Sequence, residues 1–251
     1  MIANKQGEAM IENTAQLLEL SLDLPSAAPT VRVTAGIGTA TQKTWNLRRP
    51  ITLIGSRRPA HILLHDQGVA RAHCVIVNTG AEVLIKDLHT AEGTFCNKNR
   101  VDLAILNDGD VITVGETRLQ IAIQSGSRSL DDSGLGMEIG DPLKFPEPVL
   151  LRLANGDKQW RVDDAVALVG RHESAAVVLD HEDISARHAV IFRFIDRPAV
   201  YDLGSRTGLS VGDAPCAQAR LKEGSNLAFG PVVLVVGTGN QVHATASSSV
   251  V

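Results

Sequence analysis

Rings are scarce in this chain: two Trp, one Tyr and five Phe, or 3% of 251 residues. Any core must therefore be filled by Val, Ile, Leu and Ala. Basic residues are not in excess either, since 24 Lys and Arg face 28 Asp and Glu, a formal charge of -4. A general nucleic-acid or membrane-surface binder needs a basic face, so both classes are excluded, though a small basic pocket is not. Three cysteines, Cys74, Cys96 and Cys216, form no CxxC and cannot all pair, which excludes a disulfide framework and a zinc site. Reduced thiols then imply a cytoplasmic protein. No apolar run is long enough to span a bilayer, and no basic stretch followed by an apolar one opens the chain.

What is present is apolar and turn-rich. Hydrophobic residues make up 44% and glycines number 22. That length accommodates two modest domains or one large β-structure. Ile11, Ala15, Leu18 and Leu22 fall on one helical face, so residues 1–28 read as a tail or short helix. From Val31 the pattern changes to short apolar runs: Ile51 to Ile54, Cys74 to Val77, Val83 to Ile85, Val111 to Val114. Turn chemistry separates them, as in Asn107-Asp108-Gly109-Asp110. Regularly spaced short strands predict an all-β sandwich or barrel over 29–124. Ser, Gly and Pro mark 125–147 as a flexible linker. The strand pattern resumes over 148–237, and 238–251 reads as a disordered tail.

The two strand-rich stretches are copies. Adding 115 to a residue number carries Trp45 to Trp160, Gly55 to Gly170, His73 to His188 and Asp87 to Asp202. It also carries Leu88 to Leu203, Gly93 to Gly208, Gly109 to Gly224 and Gly115 to Gly230. One gap-free register holding on residues that are not default fillers indicates an internal repeat.

The second copy contains Val169-Gly170-Arg171, then Ile184-Ser185-Ala186-Arg187-His188, then Asp202-Leu203-Gly204-Ser205-Arg206-Thr207-Gly208. This resembles the forkhead-associated (FHA) family, whose pattern is Gly-Arg at a strand end, Ser-x-x-His before a strand, and Ser-x-Asn-Gly-Thr in a later loop. The resemblance implies two consecutive eleven-stranded β-sandwiches with binding loops at one end and no catalytic residues. It implies a ligand carrying phosphothreonine: a Ser/Thr kinase or its substrate. Physical chemistry agrees with such a site. A phosphate dianion with acceptor oxygens is met by a planar guanidinium, a hydroxyl and loop amides on rigid strand ends. Arg171, Ser185, Arg206 and Thr207 are the candidate phosphopeptide-binding residues; Gly170, His188 and Gly208 are expected to brace the loops. His188 invites a catalytic reading, but no nucleophile and orienting group accompany it.

The copies depart from the family pattern unequally. Thr207 replaces an asparagine that grips the peptide, and Leu209 replaces a threonine that steadies the loop. In the first copy Ser56 takes the arginine position, Ala70 the serine and Glu92 the asparagine. A methyl donates nothing and a carboxylate repels a dianion, so this copy reads as a folded domain with an eroded site. Arg57, Arg58 and Arg71 offer a shifted site instead. His61 and His65 share a strand face without a third ligand, so no metal site is expected, and no cofactor. The competing function is a phosphate-independent structural or oligomerisation protein built from two degenerate copies; the oligomeric state is left open.

Overall fold

The structure is a computed structural model and describes residues 22–124 and 141–238. The proposed amphipathic helix and the C-terminal tail lie outside these residues, apart from Leu22 onward and Thr238. Among the described residues there is no helix, so none that could cross a membrane.

The first copy builds β1 (Thr30–Ala35), β2 (Lys43–Leu47), β3 (Ile51–Gly55), β4 (Ile62–Leu63), β5 (Cys74–Asn78), β6 (Val83–Asp87), β7 (Thr94–Cys96), β8 (Asn99–Val101), β9 (Leu103–Ile105), β10 (Val111–Val114) and β11 (Thr117–Gln124). The second builds β12 (Lys144–Leu153), β13 (Gln159–Asp164), β14 (Val166–Gly170), β15 (Val177–Val178), β16 (Ala189–Phe194), β17 (Arg197–Asp202), β18 (Leu209–Val211), β19 (Ala214–Cys216), β20 (Gln218–Arg220), β21 (Asn226–Phe229) and β22 (Val232–Thr238). One sheet of the first copy runs β2-β1-β11-β10-β7-β8 and the other β4-β3-β5-β6-β9; the second copy repeats both orders strand for strand. The fold is thus all-β, two sandwiches of one topology. Of the segment 125–147 read as linker, residues 125–140 lie outside the described residues; at its end Asp141 turns the chain, accepting from the Leu143 N–H, and β12 begins at Lys144. Pro146 and Pro148 disguise that strand start, because each removes a ladder donor; the β12–β13 register shifts between Lys144 and Val149.

Each sandwich has a core between its sheets. In the first, Val33, Ile54, Cys74, Ile76, Ile85 and Ile121 meet; in the second, Leu151, Val169, Ile191, Val200, Phe229 and Leu234. The central strands β3, β5, β6 and β14 are buried at every position, however, which one core cannot explain. Side chains alternate between faces along a strand, so a run with no exposed position is covered on both sides. The cover is the other domain. Ile51, Leu53, Val75, Val77, Leu84 and Leu88 share a third core with Val166, Leu168, Val190, Phe192, Ala199 and Leu203.

Those two sets are the same positions, 115 apart. The domains therefore pack sheet to sheet as an isologous pair about a pseudo-twofold axis, the arrangement of a symmetric dimer within one chain. The axis passes where a position meets its own counterpart: a Cβ on Gly80 would lie 3.3 Å from Cγ1 of Ile195. There the Ile195 N–H donates to the Thr79 carbonyl at 2.6 Å. Polar contacts rim this core. Arg193 pairs with Glu82 at 2.9 Å, and the Tyr201 hydroxyl stands 3.3 Å from His61 Nε2.

Candidate functional site

Three loops of the second domain converge at the strand ends: residues 171–176 after β14, 179–188 before β16, and 203–208 after β17. Gly170 sets the first against the second. A Cβ there would lie 2.2 Å from the Ala186 carbonyl oxygen, so only glycine permits this approach. The Arg171 N–H donates to the Ser185 carbonyl at 3.0 Å and its Nε to the Ile184 carbonyl at 3.3 Å. The guanidinium is thereby held over the second loop with the side chain exposed.

His188 ties the second loop to the third. It is fully buried. Its Nδ1 accepts the Ser185 N–H at 3.3 Å, which leaves the proton on Nε2 to donate to the Gly208 carbonyl at 2.9 Å. With both ring nitrogens engaged in the loops, this histidine has no free lone pair to act as a base. Phe229 fixes the ring edge-on, 5.3 Å between centroids. In the first domain His73 makes the same two bonds, from the Ala70 N–H and to the Gly93 carbonyl, each at 3.1 Å.

Ser185 and Arg206 meet directly. Ser185 Oγ accepts the Arg206 N–H at 3.0 Å, so the hydroxyl hydrogen is left to donate outward. The Arg206 guanidinium donates to the Asp183 carboxylate and to the Glu182 carbonyl, 3.3 Å. Thr207 Oγ1 donates to the Asp183 carbonyl at 3.2 Å. The structure therefore brings Arg171, Ser185, Arg206 and Thr207 onto one loop cluster. Thr207 spends its hydroxyl hydrogen on the loop, and Arg206 faces a carboxylate.

Two participants had no role in the sequence reading. Asp183 carries the charge that Arg206 meets, and nothing in the repeat pointed to it, because its counterpart in the first domain is Gly68. Asp202 was visible as a repeat identity and proves to shape the third loop: its carboxylate accepts the Gly204 N–H at 3.0 Å, the Ser205 N–H at 3.2 Å and the Ser205 hydroxyl at 2.6 Å. Asp87, its counterpart, accepts the Thr90 hydroxyl at 2.8 Å and the Thr94 hydroxyl at 2.7 Å. Leu209 stands where Thr94 does and is buried in the core, so the second domain lacks that last bond.

In the first domain the matching surface presents Ser56, the Ala70 methyl and an exposed Glu92. His61, considered above with His65, faces the other domain, while His65 is exposed. Among the described residues no group of three or more His, Cys, Asp or Glu side chains is placed to hold a metal ion. Burial pushes the Cys74 thiol far above its ordinary range, so it stays protonated.

Comparison with known proteins follows the repeat. The sequence profile of the FHA domain matches residues 52–115 and 167–230, together just over half of the chain. The chain is 31% identical over 127 residues to the glycogen accumulation regulator GarA of Mycolicibacterium smegmatis, covering 45% of this chain and 78% of that protein. It is 31% identical over 119 residues to the oxoglutarate dehydrogenase inhibitor of Corynebacterium jeikeium, covering 47% and 81%. The transcriptional regulatory protein EmbR of Mycobacterium tuberculosis matches at 33% over 89 residues, 35% of this chain but only 23% of EmbR. A crystal structure of the FhaA FHA domain complexed with the intracellular domain of Rv3910 shares 33% identity, covering 36% of this chain and 98% of that one, with a TM-score of 0.34.

Proposed function

Because the chain belongs to the FHA domain family, with two copies of the domain, we propose that its second domain binds phosphothreonine peptides as an adaptor or scaffold in Ser/Thr kinase signalling. Ligands are a kinase or its substrates carrying phosphothreonine, and the protein acts by binding, not by catalysis. The observation that carries this reading is the Ser185–Arg206 contact. By accepting the Arg206 N–H, Ser185 Oγ is aimed with its own hydrogen free, next to two exposed guanidinium groups. A phosphate dianion needs that combination of one hydroxyl donor and planar cationic donors. The first domain, with Ser56 at the Arg171 position, Ala70 at the Ser185 position, Ala91 at the Arg206 position and Glu92 at the Thr207 position, acts as a platform.

The test is a titration of phosphothreonine peptides and their unphosphorylated forms against wild type and Arg171→Ala. Each charge-assisted hydrogen bond is worth about 1.5–3 kcal/mol, so Arg171→Ala should weaken phosphopeptide binding about tenfold or more. Wild-type binding that ignores the phosphate would overturn the proposal.

A further inference from the structure

The pseudo-twofold axis makes two seams where loops of one domain meet loops of the other, and their chemistry is opposite. At one seam the loop after β3 lies against the loop after β17: a Cβ on Gly204 would stand 2.3 Å from Pro59 Cδ. Gly204 is followed by Ser205 and Arg206, and Pro59 is preceded by Arg57 and Arg58. Both of these arginines are exposed, and neither side chain makes a hydrogen bond or ion pair among the described residues. At the other seam, His172 stacks on His89 with centroids 6.1 Å apart. These are the counterparts of Arg57 and Gly204. The next residue, Glu173, stands where the first domain has Arg58, and Glu92 stands where the second has Thr207. The second domain's loops thus receive two unpaired cations from their neighbour, while the first domain's receive a histidine and a carboxylate.

The two domains are fixed against each other rather than transiently docked. At the His89–His172 seam Arg187 bonds the carbonyls of Leu88 and His89, and beside the Pro59–Gly204 seam Ala60 and Leu203 belong to the third core shared by the domains. Arg57 and Arg58 are therefore carried at a set position beside the third loop of the second domain. An exposed cation attracts a second anion most when the first anchors the ligand nearby, because the ordering cost is already met.

We propose that Arg57 and Arg58 of the first domain form an anion subsite for the ligand of the second, so that the protein prefers peptides bearing a further phosphate or carboxylate close to the phosphothreonine. This rests on the function proposed above. It gives the first domain a part in binding without a phosphate pocket of its own: it lends charge across the seam.

The test measures fluorescence polarisation with peptides carrying phosphothreonine alone, phosphothreonine with Asp or Glu on either side, and phosphothreonine with a second phosphorylated residue. The full chain is used as wild type, Arg57→Ala/Arg58→Ala and Arg57→Lys/Arg58→Lys. Wild type should bind the peptides with a second anion about fivefold tighter than the singly charged one, as expected of exposed charge pairs. That ratio should fall to about one in the alanine variant, survive in the lysine variant, and shrink with added salt. The carboxylate and phosphate arms identify the anion. A ratio of one in wild type, or an undiminished ratio in the alanine variant, overturns the subsite while leaving phosphothreonine binding intact. Wild type that binds no phosphothreonine peptide overturns both.

Discussion

Arg187 reaches from the second domain into the first, where its Nη2 donates to the His89 carbonyl at 2.7 Å and its Nε to the Leu88 carbonyl. Both carbonyls belong to the loop between β6 and β7. Removing the guanidinium leaves two acceptors at a half-buried boundary without their charged donor. Arg187→Ala should lower unfolding free energy by about 2–3 kcal/mol, the cost of breaking partly buried charge-assisted bonds. Urea unfolding checks this. Loss of coupling would also split a single transition into two, one per domain.

The glycines test packing against backbone conformation. Gly170→Ala drives a methyl to 2.2 Å from the Ala186 carbonyl oxygen, which is backbone and cannot swing aside. The loops must part, taking Arg171 from Ser185; a loss of about 3 kcal/mol or more is expected, with phosphopeptide binding lost too. Gly208 is the contrast. Nothing lies within 4 Å of its added Cβ, but its φ is +76°. Gly208→Ala should cost only about 1–2 kcal/mol, the price of a left-handed alanine. Equal effects in thermal melts of the two variants would refute this division.

Much of this was legible in the sequence, and the limits have physical causes. The gap-free register of Gly, His and Asp marked two copies because those residues hold loops that cannot vary: Gly170 for its contact with Ala186, His188 for its two bonds, Asp202 for its turn. The boundary at Lys144 was not legible because prolines in a strand start imitate a linker. The third core left a signal that went unread. Runs such as Cys74 to Val77 and Val83 to Ile85 lack the apolar–polar alternation of a sheet with one wet face. Asp183 and Pro59 gave no signal, because each acts through a neighbour that only the fold supplies.

Acid should loosen the domains. Burial, then the charge of Arg49, lowers the pKa of His61; burial, then Lys86, lowers that of His89. Both face the other domain and are neutral when folded. The unfolded chain takes up protons at the ordinary histidine value near 6.5, so below it the unfolded state binds more protons and stability falls as pH falls. Urea midpoints should drop between pH 7.5 and pH 5.5. His89→Phe, which keeps a ring to stack on His172, should flatten part of that drop. A rise in stability toward acid would contradict the assignment.

Asp183 holds Arg206 before any ligand arrives. Its carboxylate sits beside the position proposed for a dianion, so binding must overcome repulsion and draw the guanidinium from an existing partner. The pair is exposed, 65% for Arg206 and 42% for Asp183, so its own contribution to stability is small. Asp183→Asn keeps the shape and the backbone carbonyl that accepts from Thr207, and removes only the charge. Phosphopeptide affinity should rise about threefold to tenfold with little change in melting temperature. The gain should be largest at low salt, where charge repulsion is least screened. Arg206→Ala in the same background should erase it, because the gain requires a guanidinium to release. An Asp183→Asn variant that binds more weakly would show instead that the carboxylate orients Arg206 for the phosphate, and that the Arg206–Asp183 pair belongs to the bound state as well as the free one.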